Sequence, residues 1–98
     1  MQGMRRPALV VMPPSAVVPR RNHVRPAPNR FTHDVRAAQP FSYGDTAGAP
    51  VDGVLDAGTQ VVLMVRHRGD ACRVVDDLGR YVRTAYSGLR PLPPSSHA

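Results

Sequence analysis

Arginine carries most of the chemistry this sequence offers. Residues 1–30 hold six arginines (Arg5, Arg6, Arg20, Arg21, Arg25 and Arg30) and no acid. Residues 31–98 hold seven arginines and seven aspartates, so they balance. All thirteen basic residues are arginine, and lysine and glutamate are absent. A guanidinium is always charged and forks onto a carboxylate or a phosphate through two parallel hydrogen bonds. Six such forks on one acid-free segment favour binding to acidic protein groups, nucleic acid or an anionic membrane surface.

Catalytic constellations are missing. Asp76 and Asp77 are adjacent, and neighbours on a strand point to opposite faces. Ser42, Ser87 and Thr84 lack a base and an orienting partner. No glycine-rich phosphate loop precedes a helix. His23, His33, His67 and His97 are scattered, with no ligand spacing and no acidic cluster, and so read as solvated side chains. No enzyme activity, cofactor or metal is expected. Cys72 is the sole cysteine, which excludes an intramolecular disulfide and reads as a small buried apolar side chain.

Two short motifs have simpler readings than their matches. Arg68-Gly69-Asp70 is the adhesion tripeptide, but a glycine at a hairpin tip needs no further reason. Arg90-Pro91-Leu92-Pro93-Pro94 has the form of a proline-rich ligand, yet it also fits a last strand and the chain exit. The aromatics Phe41, Tyr43, Tyr81 and Tyr86 are candidates for a shallow binding groove.

These side chains must be positioned by two different kinds of chain. Residues 1–30 contain six of the eleven prolines and no sustained periodicity. Proline fixes φ and biases its predecessor toward extended backbone. Residues 1–32 are therefore expected to be an extended basic arm without a core. Residues 93–98 read as a loose tail. Arg5-Arg6 and the short apolar run from Ala8 to Met12, cut by Pro13-Pro14, fall short of a signal peptide. The uninterrupted apolar run Val61 to Val65, which none exceeds, is far too short to span a membrane. Localisation stays open between the cytoplasm and a membrane-associated complex.

Residues 33–92 have strand character. A first strand is expected over Asp34 to Gln39, stopped by Pro40. A long polar loop follows over 40–53. Gln60 to Arg66 is the strongest strand, and its continuous apolar run predicts burial on both faces. His67 to Asp70 reads as a tight hairpin, Ala71 to Asp76 as a strand, and Asp77-Leu78-Gly79 as a turn. Arg80 to Thr84 is the next strand, Ala85 to Gly88 a 3₁₀ turn, and Leu89 to Leu92 an edge strand that tolerates Pro91. The expected core is Val35, Leu55, Val61, Leu63, Val65, Val74, Val82 and Leu89. Once the arm is removed, a domain this small buries only about 60% of its unfolded surface and is marginal.

This order of strand, long loop, strand, hairpin, strand, turn, strand, 3₁₀ turn, strand resembles a Src-homology-3 (SH3) barrel, of the kind found in bacteria. The likeness rests on Leu55 to Leu63, Arg73 to Asp76, Gly79 to Thr84 and Gly88 to Leu92. It implies an all-β fold, a small five-stranded barrel preceded by the Arg/Pro-rich arm. Proline-peptide-binding members have an Ala-Leu-Tyr-Asp-Tyr-like first strand and a tryptophan pair. Here the segment reads Ala37-Ala38-Gln39-Pro40-Phe41-Ser42-Tyr43, and the chain has no tryptophan.

The expected function is a non-enzymatic accessory or structural subunit, or a protein-interaction module, fixed to a larger protein assembly by its arm. The alternative is RNA binding through the same arginines, opposed by the neutral barrel and by the lack of aromatics before Phe31 for base stacking. A membrane surface ranks third, because prolines prevent an amphipathic helix. A small-molecule substrate is not expected. The expected partner contacts are Arg5, Arg6, Arg20, Arg21, Arg25, Arg30, Phe41, Tyr43, Tyr81 and Tyr86.

Overall fold

The computed structural model describes residues 18–93. Arg5, Arg6 and the tail beyond Pro93 lie outside the described residues. The described chain is all-β, apart from two 3₁₀ turns, at Arg20–Asn22 and Tyr86–Gly88. Its strands are β1 (His33–Val35), β2 (Gln39–Phe41), β3 (Gly53–Leu55), β4 (Gln60–Arg66), β5 (Ala71–Asp76), β6 (Tyr81–Ala85) and β7 (Leu89–Pro91).

Five strands form one antiparallel sheet in the order β6-β5-β4-β1-β7, and β2 pairs with β3 in a separate ribbon. The five-stranded sheet is not closed on itself. The ribbon reaches the β6 edge through one bridge, where Ser42 and Arg83 exchange N–H···O bonds of 2.9 and 2.8 Å. Such an arrangement is compatible with a small barrel-like fold.

The core lies between the sheet and the ribbon. It comprises Val35, Phe41, Tyr43, Leu55, Val61, Cys72, Val74, Val82 and Leu89, together with Val18 from the N-terminal segment. Six of the eight expected core positions are buried. Leu63 is half-buried and packs against the core margin. Val65 is 41% exposed, which corrects its assignment to the core.

The reason lies in β4. Its pairing with β5 shifts between Leu63 and Val65, so one residue is inserted and the alternation of faces slips. Met64 is left 54% exposed. β4 is central in the sheet, but its second half is open to solvent rather than covered on both faces.

The expected first strand, Asp34 to Gln39, is two strands. The pairing of β1 runs on past Val35, with Arg36 N–H donating to the Gly88 carbonyl and Gly58 N–H to the Val35 carbonyl, both at 2.8 Å, and the chain then bends at Arg36 and Ala37 before β2. Nor does Pro40 stop the strand. It sits inside β2 opposite Val54, on a ribbon edge. The expected loop 40–53 is thus the far part of a β2–β3 hairpin, tied at its base by Asp52 N–H to the Phe41 carbonyl.

The N-terminal segment does not wait until residue 33 to pack. Val18 enters the core. Asn22, 1% exposed, donates its side-chain N–H groups to the carbonyls of Tyr43 and Tyr81. His23 bridges Arg80, and Val24 N–H donates to the Gly79 carbonyl at 2.7 Å. Residues 18–24 form a strap that joins the β2–β3 hairpin to the β5–β6 turn. Gly79 permits this approach. Its φ is +79°, and a Cβ there would lie 2.5 Å from the Val24 carbonyl oxygen.

Candidate functional site: the arginines and the aromatics

Local sequence explains where the described arginines of the arm point. Pro19 leads into the 3₁₀ turn, and Asn22 N–H closes it on the Pro19 carbonyl at 2.8 Å. With Asn22 turned inward, Arg20 and Arg21 project outward. Both are exposed, as are Arg25 and Arg30 further along. None of the four is in an ion pair among the described residues.

The domain's arginines are used differently. Arg80 Nε lies 2.6 Å from the buried Asp76 carboxylate, Arg73 Nη1 lies 2.7 Å from Asp45, and Arg90 Nη2 lies 2.8 Å from Asp34. The hydrogen bonds from Arg90, then its charge, hold the Asp34 carboxyl below its ordinary 3.8 despite some desolvation. Asp52 and Asp70 are spent on backbone, accepting from Tyr43 N–H and Ser87 N–H, each at 2.7 Å. Three of the domain's seven arginines are thus held in ion pairs, whereas Arg36, Arg66, Arg68 and Arg83, like the four arginines at residues 20–30, are in none among the described residues.

The four aromatics do not form a common groove. Phe41 and Tyr43 are buried, and pack edge to face with centroids 5.3 Å apart. Gly53 lies against the Phe41 ring, where a Cβ would come within 2.7 Å, and Arg80 stacks over it at 5.0 Å. Tyr81 is covered by Arg73 at 4.0 Å, and Tyr86 by Arg66 at 3.9 Å. Each half-buried tyrosine thus has a guanidinium on its face, an attractive cation–π arrangement that occupies the stacking surface.

The remaining motifs resolve by geometry. Asp70 of the Arg68-Gly69-Asp70 hairpin is held at both oxygens by Ser87, through its N–H and, at 2.6 Å, its hydroxyl. Gly69 has φ +69°, which the turn requires. Leu92 is half-buried and its N–H donates to Thr32, so the Arg90-Pro91-Leu92 segment belongs to the sheet edge. Cys72 is fully buried, and desolvation, then the Asp70 charge, pushes its thiol up to about 11. No group of three metal-ligating side chains occurs among the described residues, and no described helix is long and apolar enough to cross a membrane.

Sequence reasoning missed Asn22. No pattern marks it, because its partners Tyr43 and Tyr81 are far away in sequence. Comparison with known proteins returned no matching family model, no similar curated protein and no similar solved structure.

Proposed function

We propose that this protein is a non-enzymatic interaction module, an SH3-like barrel that fastens itself to a larger protein assembly through its arginine-rich N-terminal segment. The element order supports the barrel reading: β1, a long hairpin excursion, three successive antiparallel strands, a 3₁₀ turn and an edge strand. One observation carries the functional reading. Arg20, Arg21, Arg25 and Arg30 are exposed and have no acidic partner among the described residues, and the segment at residues 18–24 is pinned to the domain by Val18, Asn22 and Val24.

Pinning matters energetically. A floating arm loses conformational freedom at every residue it orders on binding. A strap already seated on the domain loses less, so more of each charge-assisted contact appears as affinity. The test is replacement of Arg20, Arg21, Arg25 and Arg30 by serine, followed by affinity purification of the full chain with quantified partners. The variant is expected to stay folded and to lose its partner. Retention of the partner at wild-type stoichiometry through the same salt wash would refute the reading. A partner fraction that nuclease removes would assign the arginines to RNA instead.

A further inference from the structure

Arg73 and Arg83 are direct register partners across β5 and β6. Like charges placed opposite each other on a sheet repel, unless each has its own compensation. Arg73 has two: the Asp45 carboxylate at 2.7 Å and the Tyr81 ring at 4.0 Å. Arg83 has no ion pair among the described residues. Its Nε, like that of Arg73, is buried and donates to no partner, so what separates the two is the carboxylate that Arg73 has and Arg83 lacks.

Arg83 is among the residues that line a surface trough of about 280 Å³ between β2, the β2–β3 loop, the start of β5 and the end of β6. Pro40, Ala49, Val51, Ala71 and Ala85 make the trough shallow and apolar. Its acid is Asp70, both of whose carboxylate oxygens are taken by Ser87. A half-buried guanidinium without a counter-ion is a cost to the fold taken alone. Breaches of local consistency of this kind concentrate where a fold meets a ligand.

We propose that this trough binds an acidic peptide segment of a partner protein, with one carboxylate seated on Arg83 and small apolar side chains along the alanine floor. The site is separate from the N-terminal arginines. The volume is below the roughly 300–1,000 Å³ typical of pockets that enclose small molecules. A single uncompensated fork matches a single carboxylate, since the Arg73 fork is already engaged by Asp45. Polyproline segments dock on open aromatic faces. The trough presents none, because the Phe41 ring lies against Gly53 and under Arg80.

The test uses the full chain carrying serine at residues 20, 21, 25 and 30, so that those arginines do not bind the probe. The probe is a capped peptide, Ala-Val-Asp-Ala-Ala, titrated by calorimetry and by ¹⁵N amide shifts. Shifts are expected at Ala49, Val51, Ala71, Arg83 and Ala85. Arg83→Gln should weaken binding about tenfold, the scale of one charge-assisted bond, and Asn in place of the peptide Asp should do the same. If Arg83→Gln fails to fold, Val51→Asp at a 64% exposed wall position carries the test, with the same loss expected from repulsion. Absence of binding, affinity unchanged in these variants, shifts elsewhere on the domain, or tighter binding of a polyproline peptide would each overturn the proposal.

Discussion

Asp76 has no exposure to solvent, and its carboxylate is surrounded by donors. Arg80 supplies its Nε at 2.6 Å and its N–H at 2.8 Å, and Leu78 N–H adds a third bond at 3.0 Å. One side chain thus closes the β5–β6 turn and neutralises a guanidinium that is itself mostly covered. Removing one partner of a buried pair costs about 3–5 kcal/mol. A domain of this size is stable by only a few kcal/mol, at about 0.05–0.15 kcal/mol per residue. Asp76→Ala is therefore expected to be largely unfolded at 25 °C by circular dichroism. Asp77→Ala, at the exposed neighbour, should stay within about 0.5 kcal/mol of wild type. The Asp76–Asp77 pair was legible in sequence as two opposite faces. Which face was buried was not, because that depends on the core built by other strands.

Titration acts at the same scale and from both directions. The Asp34 carboxyl is held low in the folded state by Arg90, so its contribution is present above its ordinary 3.8 and fades as pH falls through the lowered value. The Cys72 thiol is held high, at about 11, so its contribution is complete below its ordinary 9.0 and is lost as pH rises toward 11. Urea midpoints measured across pH should therefore decline at both ends. In Asp34→Asn the acid limb should flatten, and in Cys72→Ala the alkaline limb should do so. An alkaline limb unchanged in Cys72→Ala would assign that loss to other groups.

At the scale of elements, the strap over residues 18–24 decides where the folding unit begins. Val18 contributes the burial of an apolar side chain, worth about 1.5–3 kcal/mol when complete. Asn22 satisfies two carbonyls that belong to different elements, and each such bond contributes about 0.5–1.5 kcal/mol. Removal of residues 1–24 is accordingly expected to lower stability by about 2–4 kcal/mol in urea titration. Gly79→Ala should do part of the same damage by pushing Val24 away. A truncated chain with the wild-type midpoint would restore a boundary at residue 32. β4 and β5 were legible to the residue because each carries valines, three in β4 and the Val74-Val75 pair in β5, and is bounded by turn residues. The strap was not: it packs through one valine and one asparagine, which create no periodicity. The β1–β2 break was equally hidden, since no glycine or proline marks the bend at Arg36 and Ala37.

At the scale of the molecule, charge is arranged in two populations that salt can separate. One population stabilises the fold: Arg80 with Asp76, Arg73 with Asp45, and Arg90 with Asp34. The other is in no ion pair among the described residues, and four of its arginines project from residues 20–30. The surplus on the arm was legible from composition alone. That the four aromatics share no groove was not legible, because the guanidiniums over Tyr81 and Tyr86 arrive from other strands. Screening acts unequally on the two populations. The Debye length shrinks from about 8 Å at physiological salt to about 3 Å at 1 M, which weakens exposed charges far more than buried ones. Asp76 and Arg80 are shielded, and in Arg90–Asp34 the carboxylate side chain is only 12% exposed, so salt reaches that pair mainly from the Arg90 side. Folding stability in 1 M NaCl should therefore change by less than about 1 kcal/mol. Attachment through Arg20, Arg21, Arg25 and Arg30 should be lost over the same range. The serine variant at those four positions should show the wild-type urea midpoint, yet fail to attach even in low salt. An attachment that survives 1 M NaCl in the wild-type chain would mean that apolar contact holds the assembly together. Val51, Val54 and Met64, the most exposed large apolar side chains on the hairpin and on β4, would then be the residues to substitute first.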